Sequence, residues 1–330
     1  MINSLKSVID EIFQNFFPFF LDNNLKKIAV AVSGGPDSLA LCLILDAWGK
    51  ENNKQIFALT VDHKLRPESE EEAKKVAKWL NSYSINHSIL TWDHPPLQSK
   101  IQEQARDARY ALMENFCKQE GIPVLCIAHH LEDQFETFMM RLSKGSGIQG
   151  LSCMQPIVER NGIFIVRPFL SVLPEDLKAY LQSIHQEYIS DPSNDNESFE
   201  RIRFRKALQP LIKNGFSLDL FNKSIQQLQD TNEWINECVE DAIFDIVEET
   251  EEGTTIIDVP AFLQLSPTLA IKLFRHILKI TSDTPYPFSY DKVKDIVANI
   301  FKGSFKDQSA GGCVISQKKN KLYFKKDPRV

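Results

Sequence analysis

An α/β fold is what this sequence predicts: a doubly wound parallel sheet followed by a second, smaller and mainly helical domain. Three observations carry that reading. Short apolar runs alternate with amphipathic helical stretches from about Lys27 to Leu142. The alternation stops after Gly150, and from about Phe216 onward helical spacing dominates. At 330 residues the chain exceeds what one small core organises. Alternating strands and helices imply a parallel sheet covered on both faces, with right-handed crossovers and ligands beyond the carboxyl ends of the strands.

The elements follow in order. Leu5, Val8, Ile9, Ile12, Phe13 and Phe16 recur at helical spacing. Strands are expected over 27–32, 55–61, 87–91 and 124–128, each followed by a helix, over 39–48, 70–83, 101–120 and 131–142. In the third helix Ile101, Ala105, Ala108, Leu112 and Phe116 share one face, which Arg109 flanks while Arg106 points further out. A short strand over 163–166 leads into Arg167-Pro168-Phe169-Leu170, then a helix over 174–185, a polar loop over 190–198 and an arginine-rich segment ending near Lys213. The domain boundary is placed near Gly215, giving domains of 1–215 and 216–330, the second ending in a hairpin over 314–324.

Bulk properties exclude several classes. The formal net charge is -6, so an RNA partner requires a local basic surface. The six cysteines form no Cys-x-x-Cys pair, which argues against a zinc ribbon or an iron–sulfur cradle and for buried thiols in a reducing compartment. The apolar stretch 12–21 is interrupted by Gln14, Asn15 and Pro18, unlike a signal peptide, and no run reaches membrane-spanning length. A cytoplasmic protein is expected.

The strongest chemical signal is Ser33-Gly34-Gly35-Pro36-Asp37-Ser38, between a buried strand and a helix. A helix start offers unpaired N–H groups and the positive end of the macrodipole, and two glycines let backbone approach an anion. The string is neither a Walker A loop nor a dinucleotide fingerprint. A carboxylate beside phosphates is repelled unless a cation lies between them, so Asp37 is a candidate Mg²⁺ ligand; the plain alternative is a turn in which Asp37 or Ser38 caps the helix.

Other constellations are weaker singly. Val61-Asp62-His63-Lys64-Leu65-Arg66 follows the second strand and reads equally as a solvated loop. Arg109 needs an anionic partner, either a structural carboxylate or a phosphate. His129-His130-Leu131-Glu132-Asp133-Gln134-Phe135-Glu136-Thr137 opens a helix whose apolar stripe is Leu131, Phe135, Phe138 and Leu142. Asp133 and Glu136, three apart, suit Mg²⁺ or an ammonium group, or else form a solvated face. His129 and His130 read as hydrogen-bonding groups rather than metal ligands.

Taken together, SGGPDS, VDHKLRPES, QARDARY, HHLEDQFET with MRLSKGSGIQGL, RPFL and Asp191-Pro192-Ser193-Asn194 resemble, in content and order, the tRNA(Ile)-lysidine synthetases of the PP-loop ATP-pyrophosphatase superfamily, in their short form. The likeness is close over about 27–213 and looser beyond. Three positions depart from it: Lys64 stands where many relatives carry glycine, Glu132 replaces the first of two aspartates, and Ile202 interrupts an Arg-Asn-Arg pattern.

The resemblance implies ATP as substrate with Mg²⁺, free L-lysine, and an isoleucine tRNA with a CAU anticodon whose wobble cytidine becomes lysidine. It makes Ser33, Gly34, Gly35, Pro36, Asp37 and Ser38 the ATP loop, Asp37 and Asp133 the magnesium-linked carboxylates, Arg109 the catalytic cation, and Asp133 or Glu136 the group that receives lysine. Arg201, Arg203 and Arg205, and the lysines at 318, 319, 321, 325 and 326, are candidate RNA contacts, a solvated charge run being the alternative. The acidic run over 237–252 is expected to face solvent. One rival within the superfamily is a tRNA thiolase, of which paired cysteines are characteristic, or an amide-forming ligase, which would not need the arginine-rich segment; a rival of another class is a non-catalytic nucleotide or tRNA binder.

Overall fold

The computed structural model describes residues 2–16, 25–95, 99–190, 200–250, 253–282 and 289–329. The expected loop Asp191-Pro192-Ser193-Asn194 lies outside them. The chain divides into two compact units, Met1–Gln229 and Asp230–Val330.

In the first unit the elements are α1 (Ile2–Phe16), β1 (Lys27–Ala31), α2 (Pro36–Glu51), β2 (Gln55–Asp62), α3 (Ser69–Ser82), β3 (Asn86–Thr91), α4 (Ile101–Gln119), β4 (Val124–Cys126), α5 (Leu131–Ser143), α6 (Ile148–Leu151), β5 (Ile157–Arg160), β6 (Ile163–Val166), α7 (Pro174–Ser183) and α8 (Glu200–Lys213). α9 (Leu218–Ile246) begins in it. Among the described residues the strands form a six-stranded sheet in the order β3-β2-β1-β4-β6-β5, parallel except for β5. β2 and β3 are laid to one side of β1 and β4 to the other, so the chain reverses its winding between β1 and β4. That reversal opens a crevice at their carboxyl ends.

Period-two alternation sorts the strand residues onto two cores. Ile28, Val30, Ile56, Ala58, Val124, Cys126 and Val166 face a layer built from α1, α2, α3 and α7, with Phe13, Trp48, Leu80 and Leu181 among its members. Ala29, Leu59, Leu125, Ile163 and Ile165 face α4 through Tyr110, Met113 and Cys117. Both faces are thereby covered, which is why these strands read as nearly continuous apolar runs.

The buried face of α4 differs from the expected one. Ile101 is exposed, while Tyr110, Met113, Glu114 and Cys117 are buried with Ala105. Apolar periodicity misjudges a helix that buries a paired charge: Glu114 Oε1 forms an ion pair with Arg160 Nε at 2.8 Å, and Glu114 Oε2 accepts from Asn161 Nδ2 at 2.7 Å. Those two partners lie at the end of the β5–β6 hairpin, whose first strand is too short for its alternation to show in the sequence. The Asn161-Gly162 turn, with φ of +52° and +77°, is the local signal for it.

The second unit keeps the expected helices but joins them to an antiparallel sheet. Beyond the end of α9 come β7 (Val247–Glu249), β8 (Thr255–Asp258), α10 (Val259–Phe262), α11 (Pro267–Ser282), α12 (Tyr290–Phe301), β9 (Gln308–Ala310), β10 (Cys313–Lys318) and β11 (Lys321–Lys326). The order is β7-β8-β11-β10-β9, and the predicted hairpin is β10–β11. Ile257, Phe274, Ile277, Val297, Ile315 and Phe324 belong to its core. The division after Gln229 lies beyond the expected boundary near Gly215. The reason is apolar: Phe216, Phe221, Ile225 and Leu228 pack with Leu131 and Phe135 of α5.

One departure from the family pattern has a backbone explanation. Lys64 adopts φ of +50°, the left-handed region where glycine is unstrained. Its ammonium pairs with Asp93 in an exposed bridge that solvent screens. Lys64→Gly is expected to raise stability by about 0.5–1 kcal/mol, the relieved strain outweighing glycine's backbone entropy. Urea titration checks this, and a loss of similar size contradicts it.

Candidate functional site

The loop after β1 is shaped by its glycines. Gly34 has φ of +88°, and a Cβ there would lie 2.6 Å from Ile189 Cδ1 and 2.7 Å from Val76 Cγ2. Its carbonyl accepts from Ile189 N–H at 2.9 Å. Gly35 is the N-cap of α2 in an extended conformation, with no side-chain cap, and Pro36 occupies the first turn. Capping by Asp37 or Ser38, the plain alternative, is not observed. Ser38 Oγ instead closes the loop, accepting from Ser33 N–H at 3.1 Å, donating to Gly35 O at 3.1 Å and meeting Ser33 Oγ at 3.1 Å. The first helical amide bonded back is Leu39, to Gly35 O. The loop thus presents a rigid helix start at the crevice.

The start of α5 faces the same crevice from β4. Leu131 through Glu136 are buried without a break. Asp133 and Glu136 are therefore not a solvated face; they are buried carboxylates, and Glu136 has no exposed surface. Asp133 Oδ2 accepts from His130 N–H at 3.0 Å. His130 Nε2 stands 3.5 Å from that oxygen and 3.8 Å from Asp37 Oδ2, which links the loop of β1 to the helix of β4. Three of the predicted residues, Asp37, Asp133 and Glu136, converge here.

Their titration follows from position. Burial pushes Asp37 up, opposed by His130 and reinforced by Asp133. Burial also pushes Glu136 up, against the pull of Arg205. Asp133 resists burial and is held below the usual carboxylate range, because the His130 imidazole and the His130 N–H favour its charge. Glu132 is buried and raised by that burial. Two oxygens in the group, Asp37 Oδ1 and Glu136 Oε2, are buried without a hydrogen-bond partner among the described residues. Such atoms are open acceptors for a ligand or an ion.

Cations surround the acids. Arg205 Nε donates to Glu136 Oε1 at 2.6 Å, and its NH2 lies 3.8 Å from Asp133 Oδ1. Arg205, expected among the RNA contacts, thus also pairs with the acidic residues. Arg201 NH2 reaches Thr137 Oγ1 at 3.5 Å. Ile202 between them is buried, which accounts for an apolar residue at that point of α8. Arg109 has no carboxylate within ion-pair distance among the described residues. It lies over the Tyr110 ring, 6.0 Å from its centroid, as Arg106 does at 5.2 Å. Burial lowers its pKa, with Arg106 and Arg201 adding to the effect. A half-buried guanidinium among other guanidiniums is placed where an anion would be favoured.

The remaining candidates separate. Asp62 accepts from Lys64 N–H at 3.0 Å and Ser69 Oγ at 2.7 Å, so it caps its loop beside a cavity of about 290 Å³ at the ends of β2 and β3. His63 and His129 are kept neutral, burial pushing them to about 4 and about 3. In the second unit Lys321 pairs with Glu248 at 2.8 Å, and Lys318 lies over Tyr323. Cys42, Cys117, Cys126 and Cys313 are buried, all six thiols are free, and burial raises Cys42 and Cys126 far from reactivity.

Fold and site together define a PP-loop protein. A PP-loop domain family model matches residues 4–212. The U34-tRNA thiolase NcsA from Methanococcus maripaludis, solved with its [4Fe-4S] cluster, shares the fold, with a TM-score of 0.57 over 69% of this chain and 78% of that one at 17% identity. Closer in sequence are proteins named tRNA(Ile)-lysidine synthase. That of Orientia tsutsugamushi is 32% identical over 88% of this chain and 67% of its own length. Those of Rickettsia felis and Hyphomonas neptunium are 34% and 32% identical over 90% of this chain and 69% and 81% of theirs. The chain belongs to the tRNA(Ile)-lysidine synthase family of PP-loop proteins.

Gly34→Ala places a Cβ where Ile189 and Val76 already sit, on a backbone that only glycine adopts without strain. A loss of about 1–3 kcal/mol in stability and at least a tenfold weaker ATP affinity are expected. Thermal melts with calorimetric ATP titration test this; unchanged ATP affinity would show that the loop does not hold nucleotide.

Proposed function

We propose that the chain ligates lysine to the wobble cytidine of an isoleucine tRNA with a CAU anticodon, using ATP, and so converts an AUG-reading tRNA into an AUA-reading one. The single observation that carries the reading is the meeting of Asp37, Asp133 and Glu136 beside a glycine-built helix start, at the crevice where the sheet reverses its winding.

In the first step the cytosine ring carbonyl oxygen attacks the α-phosphorus of ATP. An O–P bond forms, the α–β bridging bond breaks and pyrophosphate leaves. The α2 amides and Arg109 face the charge that develops on the phosphoryl oxygens. In the second step the lysine side-chain amine attacks the activated ring carbon, a C–N bond forms, the C–O bond breaks and AMP departs. An ammonium is not a nucleophile, so a proton must first be lost. Glu136, raised by burial, is the better matched base, and Asp133, held ionised, is the better anchor for positive charge.

The donor set fits Mg²⁺. Asp37 Oδ1 is a buried open acceptor beside the phosphate loop. Among the described residues no three side chains form a metal cage of their own. Sites for this ion commonly use one or two carboxylates and complete their shell with substrate phosphates and water, and Asp37 and Asp133 would supply those carboxylates. When bound, the ion neutralises phosphate charge and polarises the reacting phosphoryl group.

RNA contact is assigned to α8 through Arg201 and Arg203 and to the second unit through its basic hairpin. Within the described residues no helix is long and apolar enough to cross a membrane. A cytoplasmic site of action accords with the substrates.

Incubation with labelled lysine, ATP, Mg²⁺ and CAU-anticodon isoleucine tRNA is expected to give one lysine-bearing nucleoside per tRNA, with AMP and pyrophosphate in equal amounts. Asp37→Ala should reduce tRNA-dependent pyrophosphate release at least 10³-fold, the scale of losing a principal electrostatic group. Normal turnover in that variant, or label in methionine tRNA instead, would refute the assignment.

A further inference from the structure

We propose that Arg205 is a positioning residue for the amine substrate: it occupies one oxygen of Glu136 and holds the other turned into the crevice as the acceptor for the lysine ammonium. This rests on the reading of Asp133 and Glu136 as the lysine site. Glu136 is fully buried, yet only Oε1 is satisfied, by Arg205 Nε at 2.6 Å. Oε2 is buried and has no partner among the described residues. The same guanidinium reaches toward Asp133 Oδ1 at 3.8 Å, so it spans the two carboxylates, while His130 holds Asp133 Oδ2 and Glu136 Oε2 alone is left open among the described residues. A planar fork with fixed donors orients a carboxylate in a way that a flexible ammonium does not.

The arrangement has a chemical consequence. Two acids three residues apart on a helix repel each other, and burial favours their neutral forms. Without a built-in cation, Glu136 would take up a proton, and a neutral acid attracts an ammonium weakly. Arg205 offsets part of that burial penalty at Glu136 and occupies Oε1, which leaves Oε2 to the substrate. Its exposed half and its place on α8 beside Arg201 and Arg203 also make it a candidate for phosphate contact, and kinetics separates the two roles.

The test compares Arg205→Lys and Arg205→Ala with the wild-type enzyme. Lysine KM is measured at saturating ATP and tRNA, tRNA Kd by filter binding, and the acid limb of kcat/KM for lysine from about pH 5 to 9. Arg205→Ala should raise lysine KM about 10- to 100-fold, move the acid limb to higher pH and leave tRNA Kd within about threefold, with partial recovery in Arg205→Lys. An unchanged lysine KM with tRNA binding weakened tenfold would make Arg205 an RNA contact and overturn the proposal. So would parallel losses in both with an unmoved acid limb, or no change in either. Glu136→Gln serves as the separate check: if lysine KM is unaffected there, the lysine site itself is misassigned. If Arg205→Ala does not fold, Arg205→Lys alone must still show the lysine-specific rise and the shifted limb.

Discussion

Gathering three buried carboxylates and a half-buried fourth at the mouth of a sheet is the constraint around which this molecule is organised. Asp37, Glu132, Asp133 and Glu136 lie where burial disfavours charge, and they stay functional only because cations and N–H groups are placed against them. His130 stands between Asp37 and Asp133, its backbone N–H donates to Asp133, and Arg205 grips Glu136. The compensation is incomplete at Asp37 Oδ1 and Glu136 Oε2. An acidic cluster left short of positive charge is poised to accept more of it, from a divalent ion on the loop side and an ammonium on the helix side.

The fold supplies the geometry without contributing chemistry of its own. Reversal of the winding between β1 and β4 brings two helix starts to one crevice, and the apolar stripe of α5 locks the acids in place by packing Phe135 against Phe216 and Phe221. The phenylalanines after Gly215 thus serve the site and not a separate C-terminal core. A positively charged region lies nearby, where Arg106 and Arg109 lie over Tyr110 with no carboxylate within ion-pair distance among the described residues. Opposite fields close together suit a reaction that must hold a polyanion and an ammonium at once.

Much of this was legible in the residues. Strands buried on both faces read as apolar runs, and a helix opening on two glycines and an aspartate reads as an anion site whatever its family. What escaped had physical reasons. The α4 face was misjudged because Glu114 is buried as half of an ion pair, which hydropathy counts as exposed. The burial of Asp133 and Glu136 was hidden for the same reason, since charged residues at a helix start ordinarily face water. β5 went unseen because its alternation is short, although Asn161-Gly162 marks its turn. The pairing of Arg205 with Glu136 was hidden because a linear cluster of arginines does not reveal which one turns inward.

The central claim is that the Gly34-Gly35 turn with Asp37 receives the triphosphate, with Mg²⁺ between the carboxylate and the phosphates. A crystal structure with a non-hydrolysable ATP analogue and Mg²⁺ measures this directly. The account predicts phosphate density on the α2 amides and an ion bridging it to Asp37; nucleotide bound elsewhere, with this strand-to-helix junction empty, would contradict it.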